Sequence, residues 1–239
     1  GPNDQGLSRR HILAACEASL KRLRTDFIDF YQSHSFDPET PIDETLRAFD
    51  DLVRSGKVRY VGCSNYPAWQ LALALGASER HDWSRYDCAQ NRYNLLYREV
   101  EDELLPLCRD REVGFLAYNP LAGGFLSGKY KPEEPPPPGT RFSAMGASVS
   151  LYRDRYWQDA QFAAVEKLRA AFEPRGLSLV TGSVAWVLAQ PGVTAAIVGA
   201  SRPEQLNETL AAVDCHLDAE ALAACDAAWY DLPRRPRPR

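Results

Sequence analysis

The 239-residue sequence has no apolar run near the roughly 20 residues that span a bilayer, which excludes a helical integral membrane protein. It has no excess of either charge. Its 28 Lys+Arg stand against 32 Asp+Glu, a net charge of −4, which argues against nucleic acid as a partner. The one basic cluster is the tail Pro233–Arg239, whose arginines are interleaved with prolines; it cannot be helical and reads as a flexible, solvated end. The six cysteines (Cys16, Cys63, Cys88, Cys108, Cys215, Cys225) contain no C-x-x-C pair, and no His or Cys pair has metal-ligand spacing. They read as buried thiols of a reducing compartment, which implies the cytoplasm. There is no charged-then-apolar leader, and Gly1-Pro2-Asn3-Asp4-Gln5-Gly6 lacks a starting Met and reads as a loop, the first hint of an incomplete chain. What is present is ordinary for a packed globular protein: 45% apolar and 25% charged residues, in a length that suits one domain, 1–239. That length approaches the roughly 250 residues of a complete α/β barrel.

Apolar runs alternate with amphipathic stretches. Ser8 caps a predicted helix to about Arg24, with Ile12, Cys16, Leu20 and Leu23 on one face. Asp26–Tyr31 reads as a strand, Pro41 to Ser55 as a helix stopped by Gly56, and Val58–Cys63 as a second strand. Pro67–Leu75 is helical by pattern, Tyr86–Gln90 extended, Glu99–Arg111 helical and Val113–Tyr118 a further strand. The prolines of 131–138 open a predicted long surface loop over 131–157. Helices are expected at Gln158–Phe172, Ser178–Ala189, Pro203–Val213 and Asp218–Trp229, with a strand at Thr194–Gly199. One strand plus one helix per step is the rhythm of a parallel α/β sheet, and periodicity alone leaves a barrel and a doubly wound sheet both open.

In such folds chemistry collects at the C-terminal ends of the strands. Five consecutive strand ends here are polar: Gln32 and His34, Ser64 and Asn65, Gln90, Tyr118 and Asn119, Ser201 and Arg202. A run of that kind is hard to explain by packing. His34 reads either as a buried imidazole bonded to backbone or as a group that orients a carbonyl. His11, His81 and His216 read as surface residues without partners. Gly123–Tyr130 nearly fits G-x-x-x-x-G-K-[ST], but Tyr130 replaces the hydroxyl residue and no helix pattern follows, which excludes a P-loop ATPase. The stretch still offers open backbone amides and Lys129 to a pyrophosphate. A second anion candidate is Gly199-Ala200-Ser201-Arg202-Pro203, where Ser201 caps the next helix.

These segments together resemble the aldo-keto reductases, (β/α)8 barrel enzymes that bind NADPH without a Rossmann domain. The resemblance is carried by Gly56–Tyr66 (G-K-V-R-x-x-G-x-S-N), by Gln90 with Tyr93-Asn94-Leu95-Leu96, by Tyr118-Asn119-Pro120-Leu121-Ala122-Gly123-Gly124, and by Ile197–Arg202. Asn119 and Arg153-x-Arg155-Tyr156-Trp157 look most like the aflatoxin-aldehyde-reductase branch and its bacterial relatives. The resemblance implies reduction of aldehydes or ketones to alcohols with NADPH, which becomes NADP+. It implies that Ser64, Asn65 and Gln90 hold the nicotinamide carboxamide and that Tyr118 stacks on the ring. Asn119 through Gly124, with Leu126 and Lys129, would wrap the pyrophosphate. Ser201 and Arg202, following Gly199, would grip the 2′-phosphate; Gln205 and Glu208 would reach the adenosine, although Thr209 stands where the family usually has Asn. His34 would orient the substrate carbonyl, and the loop 131–157 would cover the cofactor. The family's proton donor, a Tyr supported by an Asp and a Lys, belongs to the first three βα units. Five predicted strands against eight imply a chain that starts after those units, so no residue here takes the donor's role. The alternatives are an NADPH-binding regulatory protein without catalysis, and a protein completed by a partner: a homo-oligomer or a complementary N-terminal segment covering exposed sheet edges.

Overall fold

A computed structural model of the chain describes residues 1, 3–143 and 147–233; residues 234–239 of the predicted flexible tail lie outside the described residues. Two compact units form, Gly1–Asn91 with Val100–Leu116, and Arg92–Glu99 with Ala117–Arg239. Five strands hydrogen-bond in chain order: β1 (Ile28–Ser33), β2 (Val58–Ser64), β3 (Tyr86–Arg92), β4 (Gly114–Tyr118) and β5 (Ala195–Ile197). Neighbours β1, β2 and β3 run parallel, and a helix separates each strand from the next, so the βα rhythm is that of a parallel α/β fold. No helix among the described residues is long and apolar enough to cross a membrane.

In the first unit α1 (Arg9–Leu23) begins where Ser8 Oγ accepts the His11 amide, and it buries Ile12, Cys16 and Leu20. Leu23, assigned to that face by spacing, is exposed because the helix ends on it, at a left-handed Arg24. β1 starts two residues later than predicted, since its first partner is Val58 at the head of β2. α2 (Ile42–Arg54) packs Leu46, Phe49 and Leu52 inward, and Gly56 at φ +76° turns the chain into β2. α3 (Ala68–His81) continues past the expected end at Leu75, because Ala77 and Ser78 are also buried. The single helix expected over Glu99–Arg111 is instead a 3₁₀ turn, Glu99–Glu101, followed by α4 (Leu104–Asp110). Pro106 has no N–H to bond back to Asp102 and its ring crowds that carbonyl, which prevents a continuous helix.

In the second unit a 3₁₀ turn covers Ala122–Ser127, and five helices follow: α5 (Ala147–Tyr156), α6 (Asp159–Phe172), α7 (Leu179–Leu188), α8 (Glu204–Leu210) and α9 (Ala219–Tyr230). α7 is buried all round from Leu179 to Val187 and is the hub. Val184 and Ala185 meet Ala212, with Leu121, Val198 and Cys215 packed against them. The surface loop expected over 131–157 is corrected in its second half. Residues 147–156 are α5, and Phe142, Val149 and Tyr156 are buried. Phe142 and Tyr156 join Phe125, Tyr130, Trp157 and Phe162 in one aromatic cluster with ring centroids 4.8–6.3 Å apart. A proline run masks this packing in the sequence; large rings buried together supply it. β5 spans three residues rather than the predicted six, and the Pro203–Val213 helix resolves into α8 and a 3₁₀ turn, Ala211–Asp214.

Candidate cofactor and active site

The first unit brings its predicted residues together at the C-terminal ends of β1, β2 and β3. Register sets Gln32 beside Gly62 and Ser64 beside Gln90. Ser64 Oγ donates to the Gln90 carbonyl at 2.8 Å, and the Asn65 amide donates to the same oxygen at 3.0 Å. Asn65 Nδ2 donates 2.8 Å to the His34 carbonyl, and Gln90 Nε2 reaches toward Gln32 Oε1 at 3.4 Å. Asn65 holds a left-handed φ of +61°, a conformation that asparagine tolerates better than most residues. His34 is exposed; its backbone is anchored while its imidazole faces solvent, so the reading as a buried, backbone-bonded histidine is corrected. His81 is also corrected. It is not partnerless: its ring stacks on Trp83 at 4.3 Å and its Nε2 accepts from Arg80 Nε at 3.2 Å.

Gly62 of β2 is a feature the motif implied without explaining. A Cβ there would stand 2.7 Å from the Cys88 carbonyl and 2.8 Å from the Phe30 ring, so the strands approach too closely for any side chain. The sequence pattern around it is therefore partly structural.

The second unit holds the rest. Tyr118 ends β4 half-buried, and burial raises its phenol above the usual tyrosine range while Arg92 and Arg155 pull it back down. The next turn is a concentration of left-handed backbone: Asn119 at φ +61°, Ala122 at +51°, Gly123 at +72°, Gly124 at +92°. Asn119 Oδ1 accepts the Gly123 amide and fixes the turn. The open backbone amides expected here are corrected: the Ala122 amide donates to the Asn119 carbonyl, the Gly123 amide to Asn119 Oδ1 and the Gly124 amide to the Leu121 carbonyl, so these N–H groups hold the turn itself. Ala122 and Leu126 are buried beneath it, so Leu126 acts as floor rather than as a presented contact. Lys129 lies close by: a Cβ on Gly124 would come within 3.6 Å of its Nζ. Crowding around that ammonium first, and the Arg202 charge second, lower its pKa below the usual lysine range. Neither Lys129 nor Arg202 has a carboxylate within ion-pair distance among the described residues.

Ser201 does not cap the following helix as predicted. Its amide and Oγ both donate to Gln205 Oε1, at 2.9 and 3.1 Å, while α8 starts at Glu204 behind Pro203 with no side-chain cap. Gln205 is thereby committed to its own loop. Thr209 is buried and its Oγ1 donates to the Gln205 carbonyl at 3.0 Å, so it packs and does not stand in for an asparagine amide. Glu208 borders a cavity of about 240 Å³ with Ser127, Leu179 and Val180. A larger groove of about 530 Å³, between α2 and α3, contains none of the predicted residues.

Two side chains carry weight that residue type alone did not reveal. Asn94, buried completely, donates from Nδ2 to the Asn119 carbonyl at 3.0 Å and to Tyr156 Oη at 3.1 Å, and its Oδ1 accepts the Leu96 amide. It wires the Tyr118–Asn119 turn to α5. Arg92 lies with its guanidinium 3.4 Å from the centroid of the Tyr97 ring. Asn94 stood in a quoted motif without a role; Arg92 had no signal, because its significance lies in what surrounds it.

Comparison with known proteins agrees over nearly the whole chain. The family model described as "Aldo/keto reductase family" matches residues 1–230. The uncharacterized oxidoreductase YrpG of Bacillus subtilis is 40% identical over 93% of this chain and 65% of its own length. Aldo-keto reductase family 7 member A3 of Homo sapiens is 37% identical over 90% of the chain and 68% of its own length. The probable voltage-gated potassium channel subunit beta of Arabidopsis thaliana is also 37% identical, over 90% of the chain and 65% of its own length. The chain spans about three fifths to two thirds of the length of the curated relatives it matches.

Proposed function

This chain belongs to the aldo/keto reductase family, whose members are oxidoreductases, and we propose that it binds NADPH and serves the reduction of aldehyde or ketone carbonyls to alcohols. The observation that carries the reading is in the second unit. Among the described residues neither Lys129 nor Arg202 has a carboxylate within ion-pair distance, and Lys129 lies beside the left-handed turn at Asn119–Gly124, where burial first and the Arg202 charge second lower its pKa. Two cations without a carboxylate partner among the described residues fit a ligand that carries phosphate groups. In this reading Asn119, Pro120, Leu121, Ala122, Gly123 and Gly124 with Lys129 hold the pyrophosphate. Ser201 and Arg202 hold the 2′-phosphate, and Glu208, at its small cavity, faces the adenosine.

When bound, NADPH supplies the hydride. The chain's own residues position the reactants. Tyr118, kept neutral by burial, offers a flat ring face for stacking. The amide of Gln90 and the side chains of Ser64 and Asn65 offer the donors and acceptors a carboxamide needs. Ser64 already spends its proton on the Gln90 carbonyl, so its oxygen serves as an acceptor. His34 has its imidazole open to solvent and would hydrogen-bond a carbonyl oxygen as negative charge develops on it.

Tryptophan fluorescence titrated with NADPH and NADH tests the proposal. Quenching by micromolar NADPH is expected, with NADH weaker; Arg202→Ala is expected to bring the two closer together. No response to NADPH overturns it. A second reading has its own support, since a relative named as a potassium channel subunit is as similar to the chain as one named as a reductase. There the chain binds NADPH and turns nothing over. Nicotinamide absorbance with 4-nitrobenzaldehyde follows turnover: little or none is expected from this chain alone, in which no residue takes the proton donor's role, and oxidation that His34→Ala slows supports the enzyme over the second reading.

A further inference from the structure

Lys129 is exposed, and it stands between two anchored residues. On its C-terminal side Tyr130 is buried, with its ring centroid 4.9 Å from that of Phe142 and 5.4 Å from that of Trp157. On its N-terminal side Gly128 holds φ +69°, and its amide donates to the Phe125 carbonyl at 3.2 Å. A hydrogen bond reaches the same residue from α6: Arg169 Nη2 donates to the Gly128 carbonyl at 3.0 Å. That carbonyl belongs to the peptide plane that leads into Lys129. The contact requires glycine, since a Cβ on Gly128 would overlap the Arg169 guanidinium and stand 2.6 Å from Leu179 Cδ1. Beside it lies the cavity of about 240 Å³, bordered by Ser127, Arg169, Phe172 and Leu179, so packing alone does not fill the space between turn and helix. Arg169 also differs from Lys129 and Arg202 in its charge environment. Glu166 Oε2 lies 3.3 Å from its Nε and Glu173 Oε1 3.7 Å from its Nη1, one turn before it and one turn after. Its charge is met within the chain, which leaves its donor to the Gly128 carbonyl as the feature that needs a purpose.

We propose that Arg169 is a positioning residue for Lys129: from α6 it fixes the peptide between residues 128 and 129 and, with the buried Tyr130 ring on the other side, holds the base of the lysine side chain so that Nζ stays over Gly124. This rests on the reading of Lys129 as a ligand of the cofactor's pyrophosphate. The lysine stem already follows that course, with Nζ 5.2 Å from the Tyr130 ring centroid and within 3.6 Å of where a Cβ on Gly124 would be. A lysine on a loose turn must order its own backbone and stem when a phosphate arrives, whereas one whose backbone is already fixed loses less freedom. Arg169 touches no reacting atom and acts through the lysine.

A double-mutant cycle on NADPH affinity, read by tryptophan fluorescence on the full chain, tests the assignment without requiring turnover. Arg169→Met keeps the aliphatic stem and removes the donors; it is expected to weaken NADPH binding about threefold to tenfold, the size of one net hydrogen bond. Arg169→Lys, which keeps a donor, is expected to recover part of that loss. In a Lys129→Met background the same Arg169→Met change is expected to move affinity by less than about twofold, because no lysine remains to be positioned. Wild-type affinity in Arg169→Met overturns the assignment. So does an equal loss with and without Lys129, since an arginine that only supports the fold weakens binding in either background. Should Arg169→Met not fold, the cycle is read on Arg169→Gln, whose shorter amide falls short of Gly128, and the same outcomes decide it. Failure of NADPH to bind the wild type defeats the proposed function, and this assignment with it; wild-type binding with additive effects of the two substitutions defeats the assignment alone.

Discussion

Glycines 62 and 76 show how similar residues carry opposite burdens. Gly62 lies against a carbonyl and a ring that a methyl would meet at 2.7 and 2.8 Å, and backbone cannot yield as a flexible side chain does. Gly62→Ala is expected to destabilise the chain by about 1–3 kcal/mol, read as a lower urea midpoint. Gly76, in α3, has nothing within 4 Å of an added Cβ. Gly76→Ala is expected to stabilise by about 0.5–1 kcal/mol, since alanine loses less backbone freedom in a helix. Asn94 is a third case. Its removal leaves the Asn119 carbonyl and Tyr156 hydroxyl short of a buried donor. Asn94→Ala is expected to cost about 2–4 kcal/mol and to weaken NADPH binding through the loosened turn, measured by denaturation and fluorescence titration respectively. Residue type predicts the glycine of a motif, but not which atom it avoids.

At the scale of elements, titration reports on two local anchors with opposite signs. Asp37 accepts the Leu7 amide at 2.7 Å and Thr40 Oγ1 at 2.7 Å, and these bonds hold its carboxyl below the usual range. A carboxylate depressed on folding lends stability that is complete above its unfolded pKa, near 3.9, and is lost as pH falls through the folded value. Hydrogen exchange at Leu7 is therefore expected to stay protected at neutral pH and to lose protection in that acid window. Asp37→Ala should remove the protection at every pH. Lys129 behaves the other way. A phosphate binds its protonated form, so NADPH affinity is full at low pH and falls as pH rises through the lysine pKa. Because crowding and Arg202 lower that pKa, the fall is expected to start at lower pH than an ordinary lysine would give, and Lys129→Arg should shift it upward. Helix starts such as Ser8 and Ser178 were legible because a cap is a local device; Ser201 looked the same in sequence but bonds a glutamine four residues on.

At the scale of the whole chain, all six cysteines are free, and five are buried while Cys215 is partly exposed. Burial pushes the Cys88 thiol to about 11 and those of Cys108 and Cys225 to about 12, so little thiolate exists at neutral pH. Alkylation of the native protein followed by mass spectrometry is expected to mark Cys215 first, and the buried five only when denaturant opens the chain. Early labelling of Cys63 or Cys108 would contradict the packing of the first unit. What the sequence by itself determined is whatever depends on near neighbours: the alternation of strands and helices, the polar residues at strand ends, the glycine-rich turn after Tyr118, and with them the family. Tertiary structure alone decided the rest. It showed that α5 buries Tyr156, that Asn94 ties the turn to that helix, that Lys129 feels Arg202, and that Arg98 has a carboxylate where Arg92 has none among the described residues. The physical reason is range. Backbone propensity and capping act over a few residues, whereas burial, field and the presence of a counter-ion depend on chain segments far apart in sequence that only folding brings within a few ångströms.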